Sequence, residues 1–499
     1  MRITKLNNVK TIRFLFFPTN QQACVEAWLA AAVMILATVL SASPARASEV
    51  NGGVKTGALI LSPKIEGIRS EAAKHYAVGR YSKAATEYAN VVAEIGEPSA
   101  AETPEIARLR YALADSLYLA GEFKEAAAAA EIALEASKLI VELDRAAEPK
   151  SLLLLSDIEI ELAHYDRALD LQKTSIALYA ELFGERSAQV ARALISQGDT
   201  YQSLNRNEEA RELQLKAIAI LEESPEAPEL DLARALSDLS ESETLLGNDR
   251  AALGYARRSL EIYKKHYPGR HPELTTALMD VGDGLDAIGD HPGAVKLFLE
   301  ALSIRKEYLG PKHPWVAISL RELGQSLSLH GQVQEAIPYM RDAHALNVAR
   351  LGADHPDTME AAIALADALA DAGDFTEAIR TAEMALDAST RPLSRTGKSA
   401  AYLATALARF NQSEGNFKQA FDFASYAITL ANDEKLSEHA DLSLAKFAAA
   451  SALTSLSRFS EAISIRNECI KLDTQSFGAH SPQVMQDRTR LVNDYLMSG

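Results

Sequence analysis

Charged side chains recur in this chain at a fixed spacing. Acids stand at Asp115, Asp157, Asp199, Glu241 and Asp283, each 42 residues after the last, and Asp367 falls on the same ruler two steps later. Seven residues before the first, second, third and fourth of them stand Arg108, Lys150, Arg192 and Arg234. Seven helical residues are close to two turns, so acid and base share one face, about 10.5 Å apart along the axis. Such a pattern offers recognition of charge. It does not offer acid–base catalysis, because no carboxylate pair stands apart from the repeating rows. No GxSxG, HExxH or EF-hand loop occurs. Gly397-Lys398-Ser399 resembles the end of a phosphate-binding loop, but Pro392 stands where the first glycine of that loop belongs. His271, His313 and His355 also lie one period apart. Stacked repeats would hold them about 8–10 Å from one another, too far to share a metal whose bonds to nitrogen are about 2 Å. The two cysteines, Cys24 and Cys469, form no zinc spacing or disulfide framework. The residues therefore imply no catalytic centre, no metal and no cofactor.

The period of 42 organises the chain from Ser62 onward without an insertion or deletion. One row is alanine throughout, from Ala84, Ala126 and Ala168 to Ala462. A second, twelve residues earlier, is always Ala, Gly or Ser, as at Ala72, Ser156, Gly282 and Gly324. Between them runs a turn row, mostly Gly, with Ala163, Asn205 and Ser457 as exceptions. Two antiparallel helices approach to about 8 Å only when small side chains sit at the crossing. Gly and Asn tolerate the left-handed conformation that ends a helix. Each period is thus a helix, a tight turn and a second helix. A further small row, seven residues after the alanine row, makes Cys469 a small core residue. Pro104, Pro272, Pro314, Pro356 and Pro482 mark the starts of first helices, with His271, His313 and His355 as candidate caps. The array then holds ten repeats over 62–481, and 482–499 is one more first helix, whose Gln483, Gln486, Asp487, Arg488 and Arg490 suit a solvating cap.

The chain has 499 residues, 47% hydrophobic and 24% charged, with net charge −17. Residues 1–47 carry +4, which leaves −21 for the rest. That balance argues against binding nucleic acid or an anionic membrane surface. Basic residues open the chain, Leu29–Leu40 is apolar, and small residues stand at Ala45 and Ala47. This is the layout of a signal peptide over 1–47, cleaved after Ala47, with a linker at 48–61. The alternative is an uncleaved N-terminal membrane anchor, against which stands a run shorter than the roughly 17–25 residues that cross a bilayer. The expected location is periplasmic or secreted, with no membrane contact after cleavage.

Leu323-Gly324, Gly331, Ala336 and Ala343 resemble the Leu-Gly, turn Gly, Ala and Ala positions of tetratricopeptide repeats. The 42-residue unit with a Gly-x-x-His-Pro junction, at Gly310–Pro314 and Gly352–Pro356, is similar to the repeats of kinesin light chains and related bacterial proteins. The chain departs from kinesin light chains in lacking an N-terminal coiled coil and in its signal segment. The resemblance implies an all-α, right-handed α-solenoid of stacked antiparallel helix pairs that binds a protein or peptide. It also implies that first helices line a concave groove. The groove residues are then Arg108, Asp115, Lys150, Asp157, Arg192, Asp199, Arg234, Glu241, Asp283 and Asp367. One reading of these charges is recognition of a segment of patterned charge. The other is a solvated face whose side chains bond neighbouring repeats. Tyr402, Leu444 and Phe447 make the same face apolar in repeats nine and ten. They suit a partner or self-association surface, or cover by the last helix.

Overall fold

The computed structural model describes residues 63–99, 101–224, 226–389, 397–432, 439–479 and 481–498. The expected signal segment 1–47 and linker 48–61 lie outside them, as does Gly499. The described residues form helices and no strand, and the fold is an all-α solenoid of antiparallel helix pairs. The chain divides between His313 and Pro314 into two compact units. The N-terminal unit holds six pairs: α1 (Pro63–Ala77) with α2 (Tyr81–Ile95), α3 (Pro104–Leu119) with α4 (Phe123–Leu139), α5 (Ala147–Glu161) with α6 (Tyr165–Phe183), α7 (Ala188–Ser203) with α8 (Asn207–Glu222), α9 (Glu229–Leu245) with α10 (Asp249–His266), and α11 (Leu274–Ala287) with α12 (His291–Tyr308). The C-terminal unit holds four more: α13 (Pro314–Leu329) with α14 (Val333–Arg350), α15 (Pro356–Asp371) with α16 (Phe375–Ser389), α17 (Gly397–Ser413) with α18 (Phe417–Ala431), and α19 (His439–Ser455) with α20 (Phe459–Phe477). It ends on a lone helix, α21 (Pro482–Ser498).

The small-residue rows sit where each pair crosses. Every alanine of the first row is buried, from Ala84 to Ala462. The second row meets the partner helix sixteen residues on, and the two sizes compensate. Glycine stands opposite a larger side chain: Gly282 faces Phe298 and Gly324 faces Met340. In the third row, Ser175 and Ser259 each donate at 2.8 Å to a carbonyl near the start of the preceding helix, of Pro149 and Ala233. Cys469 repeats that contact at 3.6 Å with the Ser443 carbonyl, and burial pushes its thiol up to about 12. It is a buried small residue, with no thiolate character at neutral pH.

The whole turn row takes positive φ, the non-glycine members Ala163 (56°), Asn205 (57°) and Ser457 (60°) included. In each turn the next N–H reaches back five residues, as from His164 to the Glu159 carbonyl at 2.8 Å. This closes the helix end in the Schellman manner. Of the three, Ala163 has a Cβ and no polar atom with which to offset the strain. Ala163→Gly is expected to stabilise the protein by about 1 kcal/mol, read as a shift in urea midpoint. No gain would show that the turn carries no strain.

Pro104, Pro314, Pro356 and Pro482 each open a helix as expected. Pro272 does not: α11 begins two residues later, at Leu274. The reason is tertiary. The α1–α2 turn rests on this junction, so close that a Cβ at Gly79 would lie 2.6 Å from Pro272 Cγ. Tyr81 donates to Glu273 Oε1 at 2.6 Å, across 192 residues of sequence. His271 stacks on Tyr267 with centroids 4.4 Å apart, and its Nδ1 accepts from the Glu273 N–H at 3.2 Å. His355 caps Asp357 N–H in the same way. His313 reaches elsewhere, its Nε2 lying 3.1 Å from the Leu119 carbonyl, a bond in which the ring N–H donates. The N-terminal unit thus folds back on its own first repeats.

In the C-terminal unit, Phe447 is half-buried beside two guanidinium groups. The Arg466 guanidinium lies 5.6 Å from its ring and that of Arg490, on α21, 4.7 Å. Arg466 is fully buried and paired at 2.6 Å with Asp494 of α21. Asp487, read as a solvating residue, is buried, whereas Gln486, Arg488 and Arg490 face solvent. The exposed face of α21 is more apolar than the expected cap: Met485, Val492, Tyr495 and Leu496 all lie on it, Leu496 at 75% exposure.

Candidate functional site

The first helices α3, α5, α7 and α9 bring part of the charged rows together inside the N-terminal unit. Asp115, Asp157 and Asp199 are 4%, 8% and 2% exposed. They belong to a ladder in which residues 39 apart bond across adjacent first helices. Tyr76 donates to Asp115 at 2.7 Å, Arg192 to Asp231 at 2.6 Å, and the Ser196 hydroxyl to Asp157. Arg234 is the central cation, 3.0 Å from Asp199 and 3.9 Å from Asp238. Lys150 lies 4.0 Å over the Tyr111 ring. Glu241 and Asp283 are only half-buried.

The remaining expected residues lie apart from this cluster. Arg108 is half-exposed and pairs with Asp144 at 3.3 Å. Asp367 is in the C-terminal unit, where Tyr402 donates to it at 3.0 Å and Arg409 stands 3.8 Å away. The structure adds Asp238, Asp280, Glu273, Tyr76 and Tyr81. Asp280 accepts from Ser237 within the unit. A sequence signal for two of these existed: Ser196, Asp238, Asp280 and Glu322 form a 42-residue row three positions before the acidic one. Nothing local marked Glu273 or Tyr81, because they become neighbours only when repeat one meets repeat six.

Burial dominates the electrostatics. It pushes Asp115 up to about 6, partly offset by the Tyr76 hydroxyl and Lys150. It pushes Asp157 up to about 6 against the opposing pull of Arg234 and Ser196. Asp199 rises to about 7, again from burial, with Arg234 pulling the other way. Asp238 is held well above the carboxylate range by burial and then by the charge of Asp199. Burial alone would lower Arg234, but Asp199, Asp157 and Asp238 reverse that and keep the guanidinium charged. Asp199 and Asp238, beside one arginine, can hold a proton near neutral pH, which a solvated surface row would not do. The cluster supplies proton storage and a charged lining.

The architecture and this lining define a helical-repeat scaffold. A tetratricopeptide repeat model matches residues 148–223, 189–265, 273–347 and 331–391. Over those stretches the chain is built of tetratricopeptide repeats. It is similar to kinesin light chain TPR-like repeats from Podosopora anserina, at 23% identity over 40% of this chain and 93% of that one, with TM-score 0.36. The apo quorum sensor NprR from B. thuringiensis is 16% identical over 71% of this chain and 97% of that one, with TM-score 0.49. A Rap protein complexed with Competence and Sporulation Factor is 14% identical over 79% and 98%, with TM-score 0.48. No curated protein matches the chain.

Proposed function

We propose that this chain is an exported, non-catalytic scaffold that takes a protein or peptide segment along the inner face of its first helices. The coarser statement, a protein-interaction scaffold, follows from its repeat fold. The finer one is supported by a single observation: Asp115, Asp157, Asp199 and Asp238 are held buried with fewer cations than acids. Packing alone would be served as well or better by apolar residues, since buried ionic groups are seldom net stabilising. A lining kept acidic is suited to a basic partner segment, whose cations would replace the protons. Export rests on the residues of 1–47, where a charged start, an apolar run and Ala45-Arg46-Ala47 follow in order.

Capture from the native cell envelope tests the groove. Asp157→Asn with Asp199→Asn keeps shape and removes charge. The variant is expected to retain its helicity and to bind the captured partner at least about tenfold more weakly, the loss of about 1.4 kcal/mol that one charge-assisted contact supplies. Undiminished capture of every partner would refute the groove reading. N-terminal sequencing of the purified protein tests export, with Ser48 as the expected first residue.

A second reading, self-association as a structural envelope module, is favoured by the α21 face at Val492, Tyr495 and Leu496. Its occupant would be a second copy of this chain. A protein that sediments as a monomer at all concentrations contradicts it.

A further inference from the structure

Where the α1–α2 turn meets the His271–Glu273 junction, residues 192 apart in sequence share a buried hydrogen bond. We propose that this turn is a proton-controlled clasp: it stays shut while the buried Glu273 carboxyl is neutral, and ionisation of that carboxyl, which one Tyr81 donor does not compensate in a dry site, releases it. Three observations meet at this point. Glu273 Oε1 accepts from Tyr81, while Glu273 Oε2 is buried and accepts no hydrogen bond. A neutral acid tolerates that site far better than a carboxylate, which needs donors at both oxygens. The groups acting on Glu273 are hydroxyls and a further acid: Tyr81 of α2, Asp115 of α3, Tyr76 of α1, and Tyr263 and Tyr267 around the end of α10. Beside it, His271 is stacked on Tyr267, and its Nδ1 accepts from the Glu273 N–H.

Burial pushes Glu273 up to about 8 and His271 down to about 4. Their signs oppose. A carboxyl raised in the closed form favours closure at low pH and loses that contribution as pH rises toward 8. A histidine lowered in the closed form disfavours closure as pH falls below its ordinary 6.5. Between pH 4.5 and 6.5 the two trends offset each other, and above pH 6.5 Glu273 alone titrates, so closure is strongest up to pH 6.5 and weakens as pH rises through about 8. Opening the clasp separates the first repeats from the sixth and uncovers the acidic lining. That role as a gate rests on the groove reading above. The clasp itself is measured without a partner, so failure of one is separable from failure of the other.

The test places spin labels at Val78→Cys and Lys264→Cys in the full chain carrying Cys24→Ser. Cys469 is buried with its thiol pushed up to about 12 and stays unlabelled. One short distance is expected at pH 6.5, and the ratio of open to closed is expected to rise roughly tenfold at pH 8.5. Glu273→Gln, which is neutral at every pH, is expected to stay shut at both. Tyr81→Phe, which keeps the ring and loses the bond, is expected to open more than the parent at pH 6.5. A parent distance distribution unchanged between the two pH values overturns the clasp. So does a folded Glu273→Gln protein that opens as the parent does. Should Glu273→Gln lose helicity, the parent pH series and Tyr81→Phe decide the matter.

Discussion

Arg234→Met is expected to lower stability by about 3–5 kcal/mol at pH 8, and by distinctly less at pH 5. Arg234 is buried 3.0 Å from Asp199. The same guanidinium also pulls down Asp157 and Asp238. Without it, three acids share a dry site with no counter-charge, and each must be protonated in the folded state or repelled. The sign follows from the direction of the shifts. Asp157 and Asp199 are raised to about 6 and 7 in the folded protein, so their contribution is complete at acid pH and is lost as pH rises through that range. Removing the cation raises both further and deepens the loss at pH 8. At pH 5 both acids are already neutral in the fold, and the remaining loss is mainly that of packing and hydrogen bonds. Urea midpoints of parent and variant at the two pH values provide the measurement. An equal loss at both would mean that Arg234 acts only by filling space. Adding Asp199→Asn to the variant is expected to recover part of the loss at pH 8.

Gly282→Ala is expected to destabilise by about 1–2 kcal/mol, although alanine is the better helix former by about 1 kcal/mol. A Cβ at this position would lie 2.6 Å from Phe298 Cε1 and 2.8 Å from Cζ. Phe298 is fully buried, so its ring has nowhere to retreat. The same position tolerates alanine where the facing residue is also small, as at Ala114 opposite Ala130 or Ala366 opposite Ala382. In a Phe298→Ala background the sign is therefore expected to reverse, with Gly282→Ala now stabilising by about 1 kcal/mol. A double-mutant cycle in chemical denaturation tests this. The same sign in both backgrounds would remove steric contact as the reason for glycine at the crossing.

The helix pairs were legible because their determinants are local. A left-handed turn residue and a small residue at a crossing are demands that one repeat makes on itself and its neighbour. The period exposes such demands ten times over. Even the exceptions kept the rule, since Ala163, Asn205 and Ser457 take the conformation that glycine takes elsewhere. Pro272 departs from the row of helix-opening prolines where a distant turn rests on it. The polar cap expected at the end of the chain was legible only in part. The same α21 that exposes Arg488 and Arg490 buries Asp487 and Asp494, the latter against Arg466.

By itself, then, the sequence determined the unit, its length, its turn chemistry and the alternation of acids and bases on one helix face. Tertiary structure decided what those charges are for. Whether Asp157 and Asp199 face water or one another depends on how far the stack curves before repeat six reaches repeat one. That curvature is the sum of small crossing angles, each set by the sizes of side chains such as Gly282 and Phe298 rather than by any motif. An acid on a helix face reads identically in either case. Tertiary packing removes the water and turns a charged stripe into buried carboxyls whose proton affinity is raised, to about 6 at Asp157 and about 7 at Asp199.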